Sequence, residues 1–434
     1  MESPTQPKHS DCLIGMFIEK LYYYEPGLLD KIIDYTFTYI FENKKELKDA
    51  ITAFSMNKDD ALVKYGDPKY WNISNVDDLS YVFYDIKNFN YDISNWDTSN
   101  VKNMEYTFAY IYDMFSYDIS KWDVKNVTTM NNMFFSTTHF NCDIGKWNVG
   151  NVLEMTRMFC CSGFNQNLNE WDVRSVTSMK GMFMDTKKFN KPLNNWKTEN
   201  VISMEHMFNG AASFNQHIGN WNVSSVTRMN SMFSNSKKFN QSLNNWDVSN
   251  VVVMSNMFSY TNNFNSEISN WDVSKVESMN SMFVNAISFN QHIGRWNVGN
   301  VYDMSYLFSG ANTFNQELND WDVRNVEDME NLFNCKRFNK PINKWKFDNT
   351  NTMEGMFLCA KSFNCDISEW DVSNVSHMAC MFQGAINFNR DLSKWDTSSV
   401  SRMEYMFYQA DSFDTEKHTN TDMKRARIVR TANY

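Results

Sequence analysis

The sequence of 434 residues has no surplus of positive charge. Its 51 Asp and Glu residues outnumber 41 Lys and Arg residues and give a formal net charge of −10. Proteins that bind nucleic acids obtain much of their affinity from Lys and Arg side chains on phosphates. This balance therefore argues against a nucleic-acid partner. The one strongly basic stretch, MKRARIVR from Met423 to Arg430, is interpreted as a solvated tail.

Residues with the spacing of catalytic or metal sites are also missing. With only 14 glycines, the chain has no Gly-rich phosphate loop and no nucleophile elbow. The 8 cysteines show no recurring pair spacing and no CxxC motif, which argues against disulfides or zinc and favours a reducing compartment. The 7 histidines show no HExxH spacing. We expect no enzyme activity, no cofactor and no metal.

Long apolar runs are absent as well. No run approaches the roughly 18 residues that a membrane-spanning helix needs. The first twenty residues lack the basic and apolar regions of a signal peptide. These absences predict a soluble, unsecreted protein without membrane insertion, located in the cytoplasm.

Tryptophan placement reveals an internal repeat. Ten of the thirteen gaps between the 14 tryptophans are 25 residues, and the other three are 24 or 26. Self-similarity at such a period is typical of solenoids, propellers and repeat arrays. Trp-Asp pairs also suggest a WD40 propeller, but a four-stranded blade takes about 40 to 45 residues. The period therefore excludes the propeller.

The repeats share the pattern F-N-x-x-[IL]-x-x-W-[DN]-V-x-x-V-x-x-M-x-x-M-F-x-x-[AGT]. The stretch [IL]-x-x-W-x-V-x-x-V predicts a short strand with Trp and Val pointing inward. Apolar residues at i, i+3, i+4 and i+7 in M-x-x-M-F-x-x-A predict a buried helical face. We therefore predict an α/β repeat solenoid, leucine-rich-repeat-like, with a parallel strand and a short helical turn in each of about fourteen coils. A plain parallel β-helix is the alternative, in which M-x-x-M-F is not helical.

One repeat cannot fold alone, because ordering its backbone costs more free energy than its few apolar side chains return on burial. Stacking buries both faces of each repeat and lets neighbours exchange backbone hydrogen bonds, so the ends need caps. The Asn after the first Phe recurs in twelve repeats. We expect these asparagines to form a ladder of side-chain to backbone hydrogen bonds at one corner of the stack.

Three regions follow from the extent of the repeat. Residues 1–66 are expected to form a helical N-terminal cap whose first ten residues are disordered, residues 67–413 the solenoid, and residues 414–434 a C-terminal tail or cap. The apolar segment 12–41 is expected to pack as helices on this cap or on a partner.

Capping residues predict two helices just before the first tryptophan. Asn43 with Glu46 marks the start of one helix, and Asn57 with Asp59 marks the start of the second, which Gly66 can end. The first of these helices has one apolar face, which we expect to cover the open core of the first repeat: Leu47, Ala50, Ile51 and Phe54.

The repeat unit, as in FNQSLNNWDVSNVVVMSNMF from Phe239 to Phe258, resembles the BspA-like family of leucine-rich repeat surface proteins. Such repeats occur in mycoplasma lipoproteins and in large DNA viruses of amoebae and algae. The likeness spans about Lys64 to Phe413, and the lead-in NKKELKDAITAFSMNKDDALVKYGD also looks like the segment that precedes these repeats in the viral members. The resemblance implies a leucine-rich-repeat-like solenoid with a binding or adhesive role and no established catalysis. Without a signal peptide or a lipobox at Cys12, the viral or intracellular branch fits better.

The residue after each tryptophan is expected to project outward from the middle of the predicted strand face. These positions, here called the outward column, are mostly acidic, and four of the fourteen hold Asn. The other ten are the candidate binding residues: Asp97, Asp123, Asp172, Lys197, Asp247, Asp272, Asp322, Lys346, Asp371 and Asp396.

The outward column also records a duplication. In one-letter code it runs N D D N D K, N D D N D K, D D, so a block of six repeats recurs, and FNQHIG at Phe214 and Phe289 recurs after three. Either the column is an echo of duplication, or it is an acidic strip that recognises a basic or repetitive protein surface. Two functions stay open: a scaffold that docks another protein, in the host cytoplasm if viral, and a spacer or cement of a virus particle. An adhesin is a third possibility that needs an export route.

Overall fold

The computed structural model describes residues 38–111, 118–421 and 423. The predictions for residues 1–37, including most of the apolar segment, lie outside this part of the chain. The last residues of the predicted C-terminal tail also lie outside it. Within the described part, regular helices are few, and the repeat region consists of turns and single-residue β-bridges.

Both helices predicted before the first tryptophan are present. The Asn43 side chain accepts a hydrogen bond from the Glu46 backbone N–H at 3.1 Å, and the Asn57 side chain accepts one from the Asp59 N–H at 3.2 Å. Gly66 ends the second helix with a φ of 68°, a conformation that favours glycine. The helices of the described residues are α1 (Lys44–Met56), α2 (Lys58–Tyr65), a 3₁₀ helix (Pro68–Tyr70) and α3 (Thr415–His418).

Helix α1 packs against the first repeat. Its predicted apolar face is buried, and the Phe54 ring lies 5.4 Å from the Trp71 ring in an edge-on arrangement. Ile40 forms a parallel bridge with Asn72, and the Phe41 ring lies 4.8 Å from Trp71. The chain before the first repeat therefore covers its tryptophan on two sides.

Successive repeats are joined by a parallel β-bridge, always at the seventh residue after the tryptophan, here position +7. Thirteen bridges connect the fourteen repeats without a break from Asp78 to Arg402. At position +6, the backbone N–H donates to the carbonyl of the equivalent residue in the preceding repeat, as from Ile202 to Thr177 at 2.9 Å. The paired backbone thus runs over positions +6 to +8.

The strand predicted around each tryptophan is wrong in its position. In the repeat of Trp246, the Trp246 N–H donates to the Leu243 carbonyl at 3.0 Å and the Val251 N–H to the Val248 carbonyl at 2.9 Å. The two residues between Leu243 and Trp246, and the two between Val248 and Val251, are therefore the central residues of β-turns. Each turn is closed by a hydrogen bond between residues i and i+3. All four apolar side chains at the turn ends are buried. The spacing of three in this motif reflects the two ends of a turn.

The helical turn predicted at M-x-x-M-F is wrong as well. The Met257 N–H donates to the Met254 carbonyl at 3.2 Å, an i to i+3 bond, and none of the fourteen segments, all within the described residues, is helical. Alternate N–H groups donate to the following repeat instead, from Met254 to Ser278 at 3.2 Å and from Phe258 to Met282 at 2.9 Å. An α-helix would need these same N–H groups for its own i to i−4 bonds.

Left-handed residues fix these turns. At positions +10 and +14, 22 non-glycine residues and five glycines have φ between 51° and 74°. A positive φ at the third residue is what a type II turn requires. Asn, Asp or Gly, which tolerate this conformation, occupy twelve of the 27 positions. We therefore propose that the stack is a parallel β-solenoid, the alternative to the leucine-rich-repeat architecture.

Aromatic rings of neighbouring repeats stack through the core. Phe258 and Phe283, at equivalent positions, have ring centroids 5.8 Å apart at an angle of 5°, and Phe258 lies 3.8 Å from Phe264. Trp271 and Trp296 stack at 6.2 Å and 5°. All fourteen tryptophans are at most 4% exposed, as the sequence predicts. Ring pairs of this kind contribute about 0.5 to 1.5 kcal/mol each beyond the area they bury.

Each indole N–H has a backbone partner in the preceding part of the chain. Thirteen tryptophans donate to the carbonyl of the residue at the [IL] position of the preceding repeat. In the first repeat that residue is Pro68. Trp246, for example, donates to the Ile218 carbonyl at 3.0 Å. Trp71 donates to the Tyr65 carbonyl at 2.8 Å. A buried N–H without a partner is costly. This bond explains why the position holds Trp, since Phe or Leu has no donor to offer.

The predicted asparagine ladder is confirmed. In ten successive pairs from Asn141 to Asn389, the backbone N–H of one Asn donates to Oδ1 of the equivalent Asn in the preceding repeat at 2.8 to 3.1 Å. A second ladder, at position +4, was not predicted. There an Asn Nδ2 donates to a carbonyl of the preceding repeat, as from Asn250 to Ser224 at 2.8 Å.

Replacing Asn240 with Leu should destabilise the stack locally. Asn240 Oδ1 accepts the Asn265 N–H at 2.9 Å, and loss of one such bond costs about 0.5 to 1.5 kcal/mol. We expect faster hydrogen exchange at the Asn265 amide and a lower melting temperature. The control is Asn263→Leu, since the exposed Asn263 side chain makes no hydrogen bond among the described residues. Unchanged exchange at Asn265 would contradict the ladder.

Position +10 distinguishes a left-handed turn from a helix. Ser281 has a φ of 58°. We expect Ser281→Gly to be neutral or to stabilise by up to about 1 kcal/mol, because it relieves left-handed strain of about 1 to 2 kcal/mol against a smaller entropic cost. Ser281→Val should strongly lower the free energy of unfolding, because a β-branched residue does not tolerate a positive φ. In a helix, Gly would instead cost about 1 kcal/mol and Val less. Denaturant unfolding of the two variants decides between these outcomes.

Candidate functional site

The outward column lies on the surface, one residue per repeat, as the sequence predicts, but between turns and not on the predicted strand. All ten candidate residues are exposed except Asp123, which is partly buried. The Trp before and the residue after each of them are buried. The structure therefore brings these side chains to one face of the stack, with equivalent residues on successive repeats.

The Asp and Asn residues of this column have a structural role. In twelve of the fourteen repeats, their Oδ1 accepts the backbone N–H two residues later at 2.9 to 3.3 Å. In Asp247, for example, the donor is Ser249 at 3.1 Å. This is an Asx-turn, which either Asp or Asn can make. The recurrence of D and N in the column is therefore explained by turn formation alone.

Three carboxylates of the column are paired with cations two residues on: Asp123 with Lys125 at 2.8 Å, and Asp172 and Asp322 with arginines at 2.6 Å. In each case the hydrogen bond from the cation lowers the pKa of the carboxyl group. Such exposed pairs contribute little to stability. Within the described ranges, five carboxylates of the column have no cation partner: Asp97, Asp247, Asp272, Asp371 and Asp396.

A second surface, which was not among the predicted binding residues, lies beside the β-bridges at position +6. Leu153 and Ile202 are 48% and 52% exposed there, although their neighbours at +5 and +8 are buried. We call the uncharged run in this position over six consecutive repeats the ladder strip: Thr128, Leu153, Thr177, Ile202, Thr227 and Val252. The alternation of Thr with aliphatic residues at a fixed distance from Trp is a signal that the sequence contains.

The recurrence of FNQHIG has an architectural cause. A Cβ at Gly219 would lie 2.5 Å from the Ser242 carbonyl oxygen, and a Cβ at Gly294 would lie 2.3 Å from the Glu317 carbonyl oxygen. Gly145, three repeats before Gly219, has the same contact with the following repeat at 2.4 Å. In these three repeats a side chain would clash with the backbone of the following repeat, whereas other repeats carry Asn or Ser at this position, as at Asn244. Open clefts form beside Gly219 and Gly294.

Two adjacent thiols, those of Cys160 and Cys161, lie in contact with each other. The Sγ atoms of Cys160 and Cys161 are 3.6 Å apart. The hydrogen bond from Cys160 lowers the pKa of Cys161 to about 7, and the charges of Lys187 and Arg157 act in the same direction. The same contact and burial raise the pKa of Cys160. Cys161 is therefore the better nucleophile near neutral pH.

Alkylation should show this difference. Because the thiolate is the nucleophile, modification of Cys161 by iodoacetamide should increase between pH 6 and 8 with a midpoint near 7. Peptide mass spectrometry locates the modified cysteine. Cys161→Ser should remove the modification that increases between pH 6 and 8. A midpoint above 8, or faster modification of Cys160, would contradict the assignment.

Metal and membrane features are not found in the described part of the chain. There, no three or more His, Cys, Asp or Glu side chains are grouped so that they could hold a metal ion. No helix of the described ranges combines the length and the apolar content needed to cross a bilayer.

Comparison with known proteins places the chain in a family. The model of a family described as "Mycoplasma protein of unknown function, DUF285" matches residues 48–162, 160–267, 237–339 and 333–431. A search of curated proteins finds no significant match. The tandem matches support the repeat nature of the chain and the mycoplasma part of the resemblance. The assignment to BspA-like leucine-rich repeats stays a prediction. Since the four matches span most of the sequence, the chain belongs to this repeat family of unknown function.

Proposed function

We propose that the protein is a non-enzymatic scaffold that binds another protein along one face of its stacked repeats. The observation that carries this proposal is the ladder strip. Leu153 and Ile202 remain about half exposed on a backbone held by hydrogen bonds on both sides. Exposed apolar residues grouped in this way are typical of interaction sites.

The ladder strip is not needed to form the ladder. At the same position in other repeats stand Lys102, Glu277, Asn351 and Ser376, and their backbone hydrogen bonds are equivalent. High β-propensity accounts for Thr and Val at such positions, but it does not account for Leu153. The packing of the stack therefore does not require the exposed aliphatic side chains of the ladder strip.

A rigid ladder suits binding, because little backbone freedom is lost when a partner docks. The equivalent residues of neighbouring repeats lie in register, which suits an extended protein segment that offers apolar side chains at similar spacing. The strip is bounded by Lys102 before Thr128 and by Glu277 after Val252. These charges limit the proposed contact to six repeats.

The outward column is the second candidate surface, for a partner with a basic or repetitive face. Asp247 and Asp272, on adjacent repeats, have no cation partner among the described residues. Their side chains also serve the local turns, so their recurrence gives no separate support for binding. The ladder strip therefore comes first in the proposal.

A pair of matched substitutions tests the scaffold. Ile202→Asp places a charge on the ladder strip, and Ile287→Asp makes the same change at a residue 44% exposed elsewhere. We expect Ile202→Asp to reduce capture of the native partner at least tenfold, as expected for a central interface residue. Ile287→Asp should capture like the native chain. Hydrogen exchange verifies that both variants keep the repeat structure.

A double variant, Asp247→Lys with Asp272→Lys, tests the outward column in the same assay. A loss confined to this variant would move the binding surface to the column and overturn the ladder strip. If neither surface affects capture, while the chain is present at fixed stoichiometry in purified particles, a structural role in a particle replaces the scaffold.

A further inference from the structure

A group of basic side chains gathers on the turns of four consecutive repeats in this acidic protein. Lys180 Nζ lies 2.6 Å from Glu205 Oε2, and Arg228 Nη1 lies 3.6 Å from Glu205 Oε1. Glu205 itself is only 7% exposed. Arg157 and His206 occupy position +10 in the same group of repeats. The buried carboxylate thus holds a lysine and an arginine from the repeats on either side of it.

Arg157 reaches into this group because the next repeat has no side chain at the equivalent position. That position is Gly181, where a Cβ would lie 3.1 Å from Arg157 Cγ and 3.9 Å from its Nε. The Arg157 side chain therefore lies across Gly181. Its charge, with that of Lys180, helps to lower the pKa of His206, for which burial is the main cause. Among the described residues, the Arg157 guanidinium has no hydrogen bond or ion pair.

The charge of the group is not required by the fold. Six repeats later, the equivalents of Arg157, Lys180 and Arg228 are Tyr306, Glu330 and His377. These repeats make the same backbone bonds between neighbours. With His206 neutral, three cations and Glu205 give the group a net charge of +2, whereas the equivalent positions six repeats later hold Glu330 and Glu354 and no Lys or Arg. The basic residues therefore need an explanation other than packing.

We propose that Arg157, Lys180 and Arg228 form a binding site for a phosphate monoester dianion carried by a side chain of a partner protein. Arginine presents several N–H donors that match phosphate oxygens, and lysine adds a compact charge. Glu205 occupies one donor of Lys180 and keeps Lys180 and Arg228 together, so both retain outward donors. The unpaired Arg157 supplies the third contact. The net charge of −10 for the whole chain argues against nucleic acid as the source of the phosphate.

The site can be tested with the full chain and a fluorescent phosphoserine peptide, Gly-Ser-pSer-Ser-Gly, by polarisation at fixed ionic strength. We expect Arg157→Ala to weaken binding about tenfold or more, as expected for a hydrogen bond to a charged group. Arg174→Ala is the matched control, because Arg174 pairs with Asp172 at 2.6 Å in another part of the surface. It removes the same charge and should leave the affinity unchanged. The unphosphorylated peptide should not bind.

Several results would overturn the proposal. Equal losses for Arg157→Ala and Arg174→Ala would assign binding to overall charge. Inorganic phosphate that competes as strongly as the peptide would assign the site to free phosphate, and a single-stranded oligonucleotide that binds more tightly would assign it to nucleic acid. The phosphopeptide assay contains no native partner and leaves the ladder strip unchanged, so failure of the ladder strip and failure of this site are distinguishable.

Discussion

The structure depends on backbone hydrogen bonds that leave one repeat and end on the next. From position +8 to position +14, alternate N–H groups donate to the following repeat, and the N–H at +6 donates to the preceding one. A repeat without neighbours would leave these groups without protein partners. It would also have to hold left-handed residues such as Tyr260 and Arg157, a conformation that costs about 1 to 2 kcal/mol for each L-residue. The neighbouring repeats offset this cost, and so the unit of stability is the stack.

Side chains also connect each repeat to its neighbours along the axis of the stack. The indole N–H of Trp246, the amide of Asn250 and Oδ1 of Asn240 each bond to the backbone of an adjacent repeat. Phenylalanine and tryptophan rings stack along the same axis. Residues that recur in every repeat are therefore occupied in holding neighbours together. Even the recurrent Asp of the outward column closes a turn in its own repeat.

The sequence was sufficient for the period, the buried columns, the asparagine ladder and the caps of α1 and α2, because each depends on a local pattern or on a residue with one clear partner. It was misleading where two structures share a pattern. Apolar residues three and four apart mark a helix face, but in M-x-x-M-F, as around Met254, they mark the ends of turns. What decides between them is the destination of the N–H groups, which lies in another repeat. Residues such as Asn256 and Gly310, with positive φ, were the available signal.

The site could be predicted less well, since exposed residues leave little pattern. The outward column recurs along the chain as a binding surface would, yet recurrence is also what a turn requires. The residues of the ladder strip and of the basic group around Glu205 that lie in the first six-repeat block differ from their counterparts in the second: Ile202 corresponds to Asn351, and Lys180 to Glu330. The copies share a core and a backbone, so substitutions at these positions have changed the surface without changing the fold. Function in a stack of this kind is therefore best sought where duplicated repeats have diverged on the outside.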